Sequence, residues 1–511
     1  MRRPLGRRHF LAGAAGLALA PNWRTAARAR TPGVLTFGLS AYPPSVKPFE
    51  FVGAASASVR MQLYRGLLSF DAQGEVRPEV AEEWRRDGDR AYVFKLRANA
   101  KFHNGDPVTA ADVKSSFEQI VGERSTAFLR TEFAVIERID EVDARTVKLT
   151  LKRPSATFPY LLATVNAPII SAKTPANAQI AIGCGPYTMG EVERGTRMEL
   201  VPFRDYYKPG RPRLQRLRFV AYPDDNLRLA AVEAGDVDVI EYVPWPAMDQ
   251  IERSQRLRLD TRDGPFMHLI FNFRQGPFTD ARLRQAAAFA VDREAIVRAA
   301  FSGRGAVLES IPIPRESPYF IEGNSRFWRR DLARSRALLA EAGHPNGFTA
   351  SLLSTATYGM HKDTAEVVQQ SLREVGIQAE LRLPEWGTRI QLGNRGQYEF
   401  AVMGSAGDFN DPDALTAWLA PNPVAAYGRS FGYESARMTE LLEAGRAELD
   451  VARRRAVYDE MEKLAQRDAP MVGLAWRSQG FAAQRYVENF QTMPGFLFSY
   501  AALSLEDASV G

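Results

Sequence analysis

The chain has 511 residues, 45% of them hydrophobic and 25% charged, a length that exceeds a single core and implies at least two domains. All of its formal net charge of +6 lies in the first 29 residues, which contain six arginines and no acid: Arg2, Arg3, Arg7, Arg8, Arg24 and Arg28. The remainder therefore has a net charge of zero and lacks the excess of basic residues that nucleic-acid binding requires.

The first 29 residues have the parts of an export signal in the usual order. Arg7 and Arg8 begin a twin-arginine motif, an apolar stretch to Ala20 follows, and 27–29 (ARA) is an A-x-A cleavage site. The apolar stretch is shorter than the about 20 residues that span a membrane, and no cysteine follows it as a lipid anchor. We expect cleavage near Ala29 and a soluble periplasmic product, and a disordered arginine-rich tail is the alternative.

Residues 75–118 form one predicted supersecondary unit. It starts with a short amphipathic piece at 78–84, and apolar residues at every second position over 91–97 then predict a strand with one buried face. A glycine and a proline in 103–107 (HNGDP) predict a turn. The sequence TAAD that follows has the spacing of a capping box and predicts a helix over 110–120.

Strands and helices alternate through the rest of the chain. Strands are predicted at 34–39, 147–151, 217–221, 237–239 and 400–403, and helices at 226–234 and 332–342. The segments 348–353, 363–375 and 377–383 form a strand–helix–strand unit of the kind that parallel pairing requires. The pattern is typical of an α/β fold.

The 75–118 unit resembles the signature of the large solute-binding proteins of bacterial ABC importers, the peptide/nickel-binding (family 5) class. Matching segments occur in the same order along the chain at 63–67, 183–187, 204–207, 234–238, 280–294 and 338–343. The resemblance implies a bilobal periplasmic-binding-protein fold of class II type with an inserted domain. It further implies a monomer that delivers its solute to an inner-membrane ABC permease and uses no cofactor or metal.

By the same resemblance, the chain divides into three units joined by a hinge. Lobe I is expected to combine residues 30–57, 183–262 and 476–511, with the inserted domain at 58–182 and lobe II at 263–475. The hinge would lie where the chain crosses between lobes, near 262 and 476. Closure about such a hinge would enclose the solute.

Asp408 is the first candidate for a solute contact. It follows the predicted strand 400–403 on a glycine-flanked loop, and ligands of open α/β sheets gather beyond the carboxyl ends of strands. The loop resembles the G-W-x-x-D-x-x-D-P loop of the family, whose first aspartate receives the α-ammonium of a bound peptide. A solvated aspartate, or a cap for the helix after Pro412, is the alternative.

The partner for a ligand carboxylate is less defined. His361 and Lys362 lie where dipeptide binders offer an arginine, whereas Met403 stands where some oligopeptide binders place one. Lys362 would act as a point charge without the bidentate fork of arginine, or simply be an exposed cation at a helix start.

Further predicted contacts come from Trp386, Phe409, Ser40 and Tyr42. Trp386 lies in an E-W-G segment shared with dipeptide binders, Phe409 follows Asp408, and Ser40 and Tyr42 follow the first strand. Each aromatic residue could instead pack between the lobes. The predicted solute is a di- or tripeptide or a related amino-acid conjugate, and the alternatives are a nickel chelate, an opine, an oligosaccharide or haem.

The sequence does not favour an enzyme. It contains no H-E-x-x-H, no zinc-type spacing of Cys and His, and no G-x-S-x-G elbow. The single Cys184 cannot form an intrachain disulfide and has no evident activating base, so we expect an inert buried thiol in a strand-entry turn. A periplasmic hydrolase is the least favoured hypothesis.

Overall fold

The computed structural model of the chain describes residues 31–50, 53–421 and 427–511. The predicted export signal at 1–29 lies outside these residues. Among the described helices, none combines the length and the apolar character that crossing a bilayer would need.

The helices and strands alternate along most of the chain. The helices are α1 (Ala54–Leu63), α2 (Ala110–Val121), α3 (Arg130–Phe133), α4 (Phe158–Ala163), α5 (Asp225–Ala234), α6 (Met248–Glu252), α7 (Ala281–Ala290), α8 (Arg293–Phe301), α9 (Leu332–Glu341), α10 (Gly359–Arg373), α11 (Trp386–Asn394), α12 (Thr416–Leu419), α13 (Ala436–Ala447) and α14 (Val451–Asp468). The strands are β1 (Val34–Leu39), β2 (Arg65–Gly66), β3 (Leu68–Phe70), β4 (Val76–Pro78), β5 (Ala81–Arg86), β6 (Ala91–Leu96), β7 (Ile136–Asp143), β8 (Thr146–Leu151), β9 (Pro168–Ile169), β10 (Tyr187–Glu193), β11 (Arg197–Pro202), β12 (Arg216–Ala221), β13 (Val239–Ile240), β14 (Leu257–Phe271), β15 (Gly305–Val307), β16 (Thr349–Leu353), β17 (Gln378–Arg382), β18 (Phe400–Ser405), β19 (Met471–Gln484), β20 (Val487–Glu488) and β21 (Ser509–Val510). The 3₁₀ helices are Trp245–Ala247, Pro277–Thr279, Pro412–Leu415 and Gly495–Glu506.

One large mixed sheet connects the two lobes of this α/β fold. Its strand order is β10-β11-β12-β1-β13-β19-β14-β18-β16-β17, and β15 pairs with β19. The long antiparallel strands β14 and β19 pair from Leu257–Gln484 to Ile270–Met471 and so belong to both halves of the sheet. A single sheet therefore runs from one lobe to the other.

The β14–β19 pairing is interrupted near its middle. Its register shifts between Asp263 and Phe266, and Gly264 lies directly against the backbone of Gly495. A β-bulge of this kind bends a strand and increases its twist. The interruption lies next to residue 262. That the chain crosses between the lobes at this point stays a prediction.

The unit predicted at 75–118 forms as a strand, a turn and a helix, and its amphipathic start is strand β5. Strands β5, β6, β8 and β7 form an antiparallel sheet in that order. At the start of α2, the carboxylate of Asp112 accepts hydrogen bonds from Thr109 N at 3.0 Å and Thr109 Oγ1 at 2.7 Å. This is the predicted reach from the third helical residue back to the cap.

The other predicted elements form with shifts of a few residues at their ends. The strands β16 and β17 are parallel and flank α10, as the strand–helix–strand pattern predicts. Helix α5 begins at the capping carboxylate of Asp224 and ends at Gly235, whose φ of 85° is left-handed.

A buried charge network fixes the C-terminal segment. Glu506 accepts from Arg65 Nη2 at 2.9 Å and from Lys208 Nζ at 2.7 Å, and Lys208 also bonds Glu79. Burial alone would raise the pKa of Glu506, but Lys208 and Arg65 together lower it. The 3₁₀ helix Gly495–Glu506 is thereby tied to strand β2 and to the segment after β4.

Candidate ligand-binding site

Three aspartates occupy the loop and the 3₁₀ turn that follow β18. Asp411 forms a bidentate ion pair with Arg454, with both N–O distances 2.7 Å. Asp413 accepts from Arg446 Nη2 at 2.8 Å and from Thr157 Oγ1 at 2.7 Å. Among the described residues, Asp408 alone of the three has neither an ion pair nor a hydrogen bond to its carboxylate.

The loop that carries Asp408 is held in place on either side of it. Asn410 Nδ2 donates to Pro494 O at 3.0 Å, and Phe496 N donates to Asn410 Oδ1 at 2.8 Å. Gly407 packs so closely on the Phe496 ring that a Cβ atom would overlap it. Asp408 thus projects from a loop whose backbone is fixed against the start of the 3₁₀ helix Gly495–Glu506.

The environment of Asp408 disfavours its charged form. The side chain is half-buried, and burial, followed by the negative charge of Glu132, raises the pKa of Asp408 to about 6. Its charge in turn helps to raise the pKa of the buried Tyr500, after the larger effect of burial. At pH 7 the carboxylate is still mostly ionised and lacks a counter-charge, so a cation placed beside it would be strongly favoured.

Phe409 is buried and packs against the inserted segment. Its ring stacks on that of Tyr160 in α4, with centroids 5.6 Å apart and an angle of 25° between the planes. The contact joins the loop after β18 to residues of the predicted inserted domain.

A second group of predicted residues meets where α10 and α11 begin. The rings of His361 and Trp386 have centroids 5.7 Å apart, and Trp386 also packs edge-on against Tyr358 at 5.2 Å and Tyr427 at 5.6 Å. The structure therefore brings together two of the predicted contacts, from two different helices, beside the carboxyl end of β18.

His361 is buried and neutral at pH 7. Burial, then the positive charges of Arg477 and Arg389, lowers the pKa of His361 to about 3. Its Nδ1 has no hydrogen-bond partner in the described part of the chain. Lys362 points elsewhere, with 45% of its side chain exposed and its Nζ 3.7 Å from Glu366 Oε1, so its solute contact stays a prediction.

Ser40 and Tyr42 follow β1, in the other half of the large sheet. Ser40 donates from N at 2.8 Å and from Oγ at 2.6 Å to Glu241 Oε1, and burial raises the pKa of Glu241 despite those bonds. Tyr42 is half-buried against the core. Ser40 therefore anchors a buried carboxylate, and direct contact of either residue with a solute stays a prediction.

The sequence interpretation missed Arg477 and Arg389, whose guanidinium groups lie near His361. Arg477 is in β19 and Arg389 in α11, and both side chains are buried. The available signal was a charged residue inside the apolar run LAWRSQGF at 474–481. Because that run was assigned to a chain crossing, the direction of its side chains could not be read from the sequence.

The described residues contain no group of three or more His, Cys, Asp and Glu side chains placed to hold a metal ion. Cys184 is fully buried, and burial raises the pKa of its thiol to about 12. It lies buried in the turn that leads into β10, as predicted, and its lack of reactivity stays a prediction.

Comparison with known proteins places the chain in one family. Residues 75–425 match the model of the bacterial extracellular solute-binding proteins, family 5 (middle region). The glutathione-binding protein GsiB of Pectobacterium atrosepticum is 28% identical over 478 residues, which cover 91% of this chain and 92% of that protein.

Solved structures agree with this assignment. The binding protein AgaA from A. tumefaciens R10, solved with agropinic acid, has a TM-score of 0.84 and 36% identity, covering 94% of this chain and 99% of its own. The DppA protein of Helicobacter pylori, solved with the peptide STSA, has a TM-score of 0.81 at 22% identity. The match covers 93% of this chain and 98% of that protein, and it supports the fold alone.

Proposed function

We propose that this chain, which belongs to the family 5 bacterial extracellular solute-binding proteins, captures short peptides or related amino-acid conjugates for an ABC importer. Proteins of this family bind small solutes, deliver them to a membrane permease and catalyse no reaction. The finer proposal concerns the solute, a di- or tripeptide or a conjugate that retains a free ammonium group. We further propose that the protein acts as a monomer and transfers the solute to an inner-membrane permease.

The unpaired carboxylate of Asp408 carries the proposal. Asp411 and Asp413, within five residues of it, each have an arginine partner, so the loop does not lack cations in general. A half-buried carboxylate without a partner is unfavourable in free energy, and so is a desolvated ammonium group without a counter-charge. Pairing the two offsets both costs, which favours a positively charged group of the solute at this point.

Closure of the lobes would supply the desolvation. We assign lobe I to 30–57, 183–262 and 476–511, the inserted domain to 58–182 and lobe II to 263–475. The register shift beside Gly264 and its contact with Gly495 support a hinge in the paired strands β14 and β19. Rotation about it would bring the solute between Asp408 and residues of the opposite lobe.

The remaining predicted contacts take supporting roles in this proposal. Trp386 and Phe409 would cover apolar parts of the solute, and Ser40 and Tyr42 would approach it from lobe I. His361, neutral at pH 7, would contribute a hydrogen bond rather than a charge. Lys362 would reach a ligand carboxylate only by leaving Glu366.

Native mass spectrometry of freshly purified protein tests the proposal, because binding proteins that close on a solute often retain it. We expect an adduct whose mass and fragmentation identify a short peptide or amino-acid conjugate, released unchanged on denaturation. An adduct without an amine, or a peptide that is turned over by repurified protein, would contradict it. Asp408→Asn, purified in parallel, should retain much less of the adduct.

An opine is the second candidate, and one observation favours it: the 36% identity with the agropinic acid-binding protein. A solute without a free ammonium group would not need the charge of Asp408. Equal retention of such a solute by the parent and by Asp408→Asn would therefore favour the opine. Stronger retention by the parent would favour the peptide.

A further inference from the structure

The buried guanidinium of Arg477 lacks a suitable acceptor. The residue is 7% exposed, and in the described part of the chain its guanidinium donates only to the sulfur of Met360, with Nη1 2.6 Å from Sδ. Its Nε has no partner. A thioether is a weak acceptor, so the guanidinium makes no hydrogen bond to an oxygen atom of the described residues.

Three other buried arginines do have oxygen partners. Arg65 is paired with Glu79 and Glu506, and Arg454 with Asp411. Arg293 is surrounded by carbonyl oxygens, with bonds to Leu308, Gly473, Ala288 and Trp328. These three guanidinium groups therefore have carboxylate or carbonyl oxygens as partners, whereas in the described structure the Arg477 guanidinium has a hydrogen bond to sulfur alone.

A second buried guanidinium lies close by. Arg389 is fully buried, donates to Tyr427 O at 2.9 Å and Val402 O at 3.3 Å, and contacts the Met403 sulfur. Within the described ranges Arg389 has no acidic partner, and its Nε is also unpaired. Its positive charge lies 5.7 Å from the ring of Trp386, behind the aromatic group described above.

The N-terminus of α10 adds to the positive potential at this place. Tyr358 at its cap makes no side-chain capping hydrogen bond, and Met360, the second helical residue, contacts Arg477. Uncapped N–H groups and the helix dipole favour an anion at such an end. Arg477 contacts Met360, next to His361 in this turn, and Arg389 lies against Trp386, whose ring centroid is 5.7 Å from that of His361.

Among the described residues, no carboxylate forms an ion pair or a hydrogen bond with Arg477. Tyr242, whose hydroxyl acts electrostatically on Arg477, has a left-handed φ of 52°, a strained conformation of the kind that clusters at ligand sites. The carboxylate of Glu241, next to it, is engaged by Ser40. The positive charges thus exceed the acids available to them.

We propose that Arg477 and the N-terminus of α10 bind a carboxylate of the solute, with Arg389 contributing positive charge from behind Trp386. The inference rests on the proposed function and narrows it to solutes with a carboxylate opposite their ammonium group. It assigns to Arg477 the role that the sequence suggested for Lys362.

The separation of the two sites agrees with a small zwitterion. A Cβ atom on Gly404 would lie 3.1 Å from His361 Nε2, so this glycine lies beside the first turn of α10. Asp408 is four residues further on, which limits the Cα–Cα distance to at most about 14 Å. A dipeptide, a tripeptide or a conjugate of similar length spans such a distance.

Acetate, the simplest carboxylate, tests the site without knowledge of the natural solute. Thermal unfolding of the mature protein, freed of retained solute, is compared in sodium acetate and sodium chloride at equal ionic strength and pH 7.5. We expect acetate to raise the Tm of the parent by about 1–2 °C. Arg477→Met should lose this shift, Arg477→Lys should keep part of it, and Lys463→Met, on an exposed helical face, serves as the charge control.

Ligand-free stability provides a second readout. Replacing an unpaired buried cation by a side chain of similar volume is often neutral or stabilising, so Arg477→Met should unfold at the same or a higher urea concentration than the parent. A large drop in the unfolding midpoint would indicate a structural role and overturn the proposal. An acetate shift that survives in Arg477→Met but is lost in Lys362→Met would also overturn it.

The two proposals can fail separately. If Asp408→Asn loses the retained solute while acetate does not stabilise the parent, the anion site is wrong and the proposed function stands. If acetate stabilises the parent through Arg477 while Asp408→Asn retains its solute in full, the anion site stands and the ammonium contact is wrong.

Discussion

Arg454 holds Asp411 through two hydrogen bonds of 2.7 Å, one from each terminal nitrogen of the guanidinium. Three residues earlier, Asp408 has no such partner in the described structure. The same loop thus combines a carboxylate that fixes its own conformation with one that is left for another molecule. This division of roles is the physical basis of the proposed ammonium site.

Asp408→Asn should weaken binding of the retained solute strongly. The substitution preserves size and removes the charge, which leaves the solute ammonium buried without a counter-ion, at a cost of about 3–5 kcal/mol. That corresponds to a loss of roughly a hundred- to several-thousandfold in affinity, measurable by isothermal titration calorimetry. Asp236→Asn, at an exposed position after α5, is the matched control and should bind like the parent.

Binding should weaken in acid. Burial and Glu132 raise the pKa of Asp408 to about 6 in the ligand-free protein, and only the ionised form pairs with an ammonium group. Affinity should be nearly constant above pH 7 and fall by up to about tenfold per pH unit below pH 6. Calorimetry between pH 5 and 8 measures this profile. A flat profile in the parent would argue against a titrating carboxylate at the site.

Arg454→Ala should destabilise the fold. Asp411 and Arg454 are 1% and 3% exposed, so the variant leaves an uncompensated buried carboxylate at a cost of about 3–5 kcal/mol. Lys463→Ala removes an exposed ion pair with Asp459 on the same helix, and such pairs contribute about 0–1 kcal/mol. Urea unfolding followed by circular dichroism compares the two. Similar unfolding midpoints would show that the buried pair contributes little.

Gly264→Ala should disturb the proposed hinge between the two lobes. A Cβ atom at this position would overlap the carbonyl oxygen of Gly495, and backbone cannot yield as a flexible side chain can. Overpacking of this kind costs about 1–3 kcal/mol. Gly323→Ala is the control, because nothing lies within 4 Å of the added atom. Thermal unfolding of both variants should separate them, and equal Tm values would refute a tight contact at Gly264.

Export offers a test of the twin-arginine prediction. Replacing Arg7 and Arg8 together by lysine preserves charge but removes the motif, so we expect the precursor to accumulate in the cytoplasm. Cell fractionation and immunoblotting measure the distribution. Normal appearance of a processed form in the periplasm would contradict the predicted route.

The sequence predicted the local elements well because their signals are local. Alternating apolar residues marked β6, the Thr109–Asp112 spacing marked the start of α2, and Gly235 marked the end of α5. The same reasoning placed Asp408 just beyond β18. It could not reveal that Asp408 is unpaired, because the partners of its neighbours, Arg446 and Arg454, come from α13 and α14.

The anion site escaped prediction for a related reason. Arg477 and Met360 are 117 positions apart, and their contact depends on how β19 and α10 are arranged in space. Nothing in the spacing of either segment specifies that arrangement. Residues whose function depends on a missing partner are hardest to identify, since a sequence records which groups are present but not which remain unsatisfied.

The most direct test of the ammonium site is a calorimetric cycle with the retained solute and its N-acetylated form, each titrated into the parent and into Asp408→Asn. If Asp408 binds the ammonium group, acetylation should cost the parent at least a hundredfold in affinity and cost the variant little. Equal losses in both proteins, or tight binding of the acetylated solute by the parent, would contradict the account.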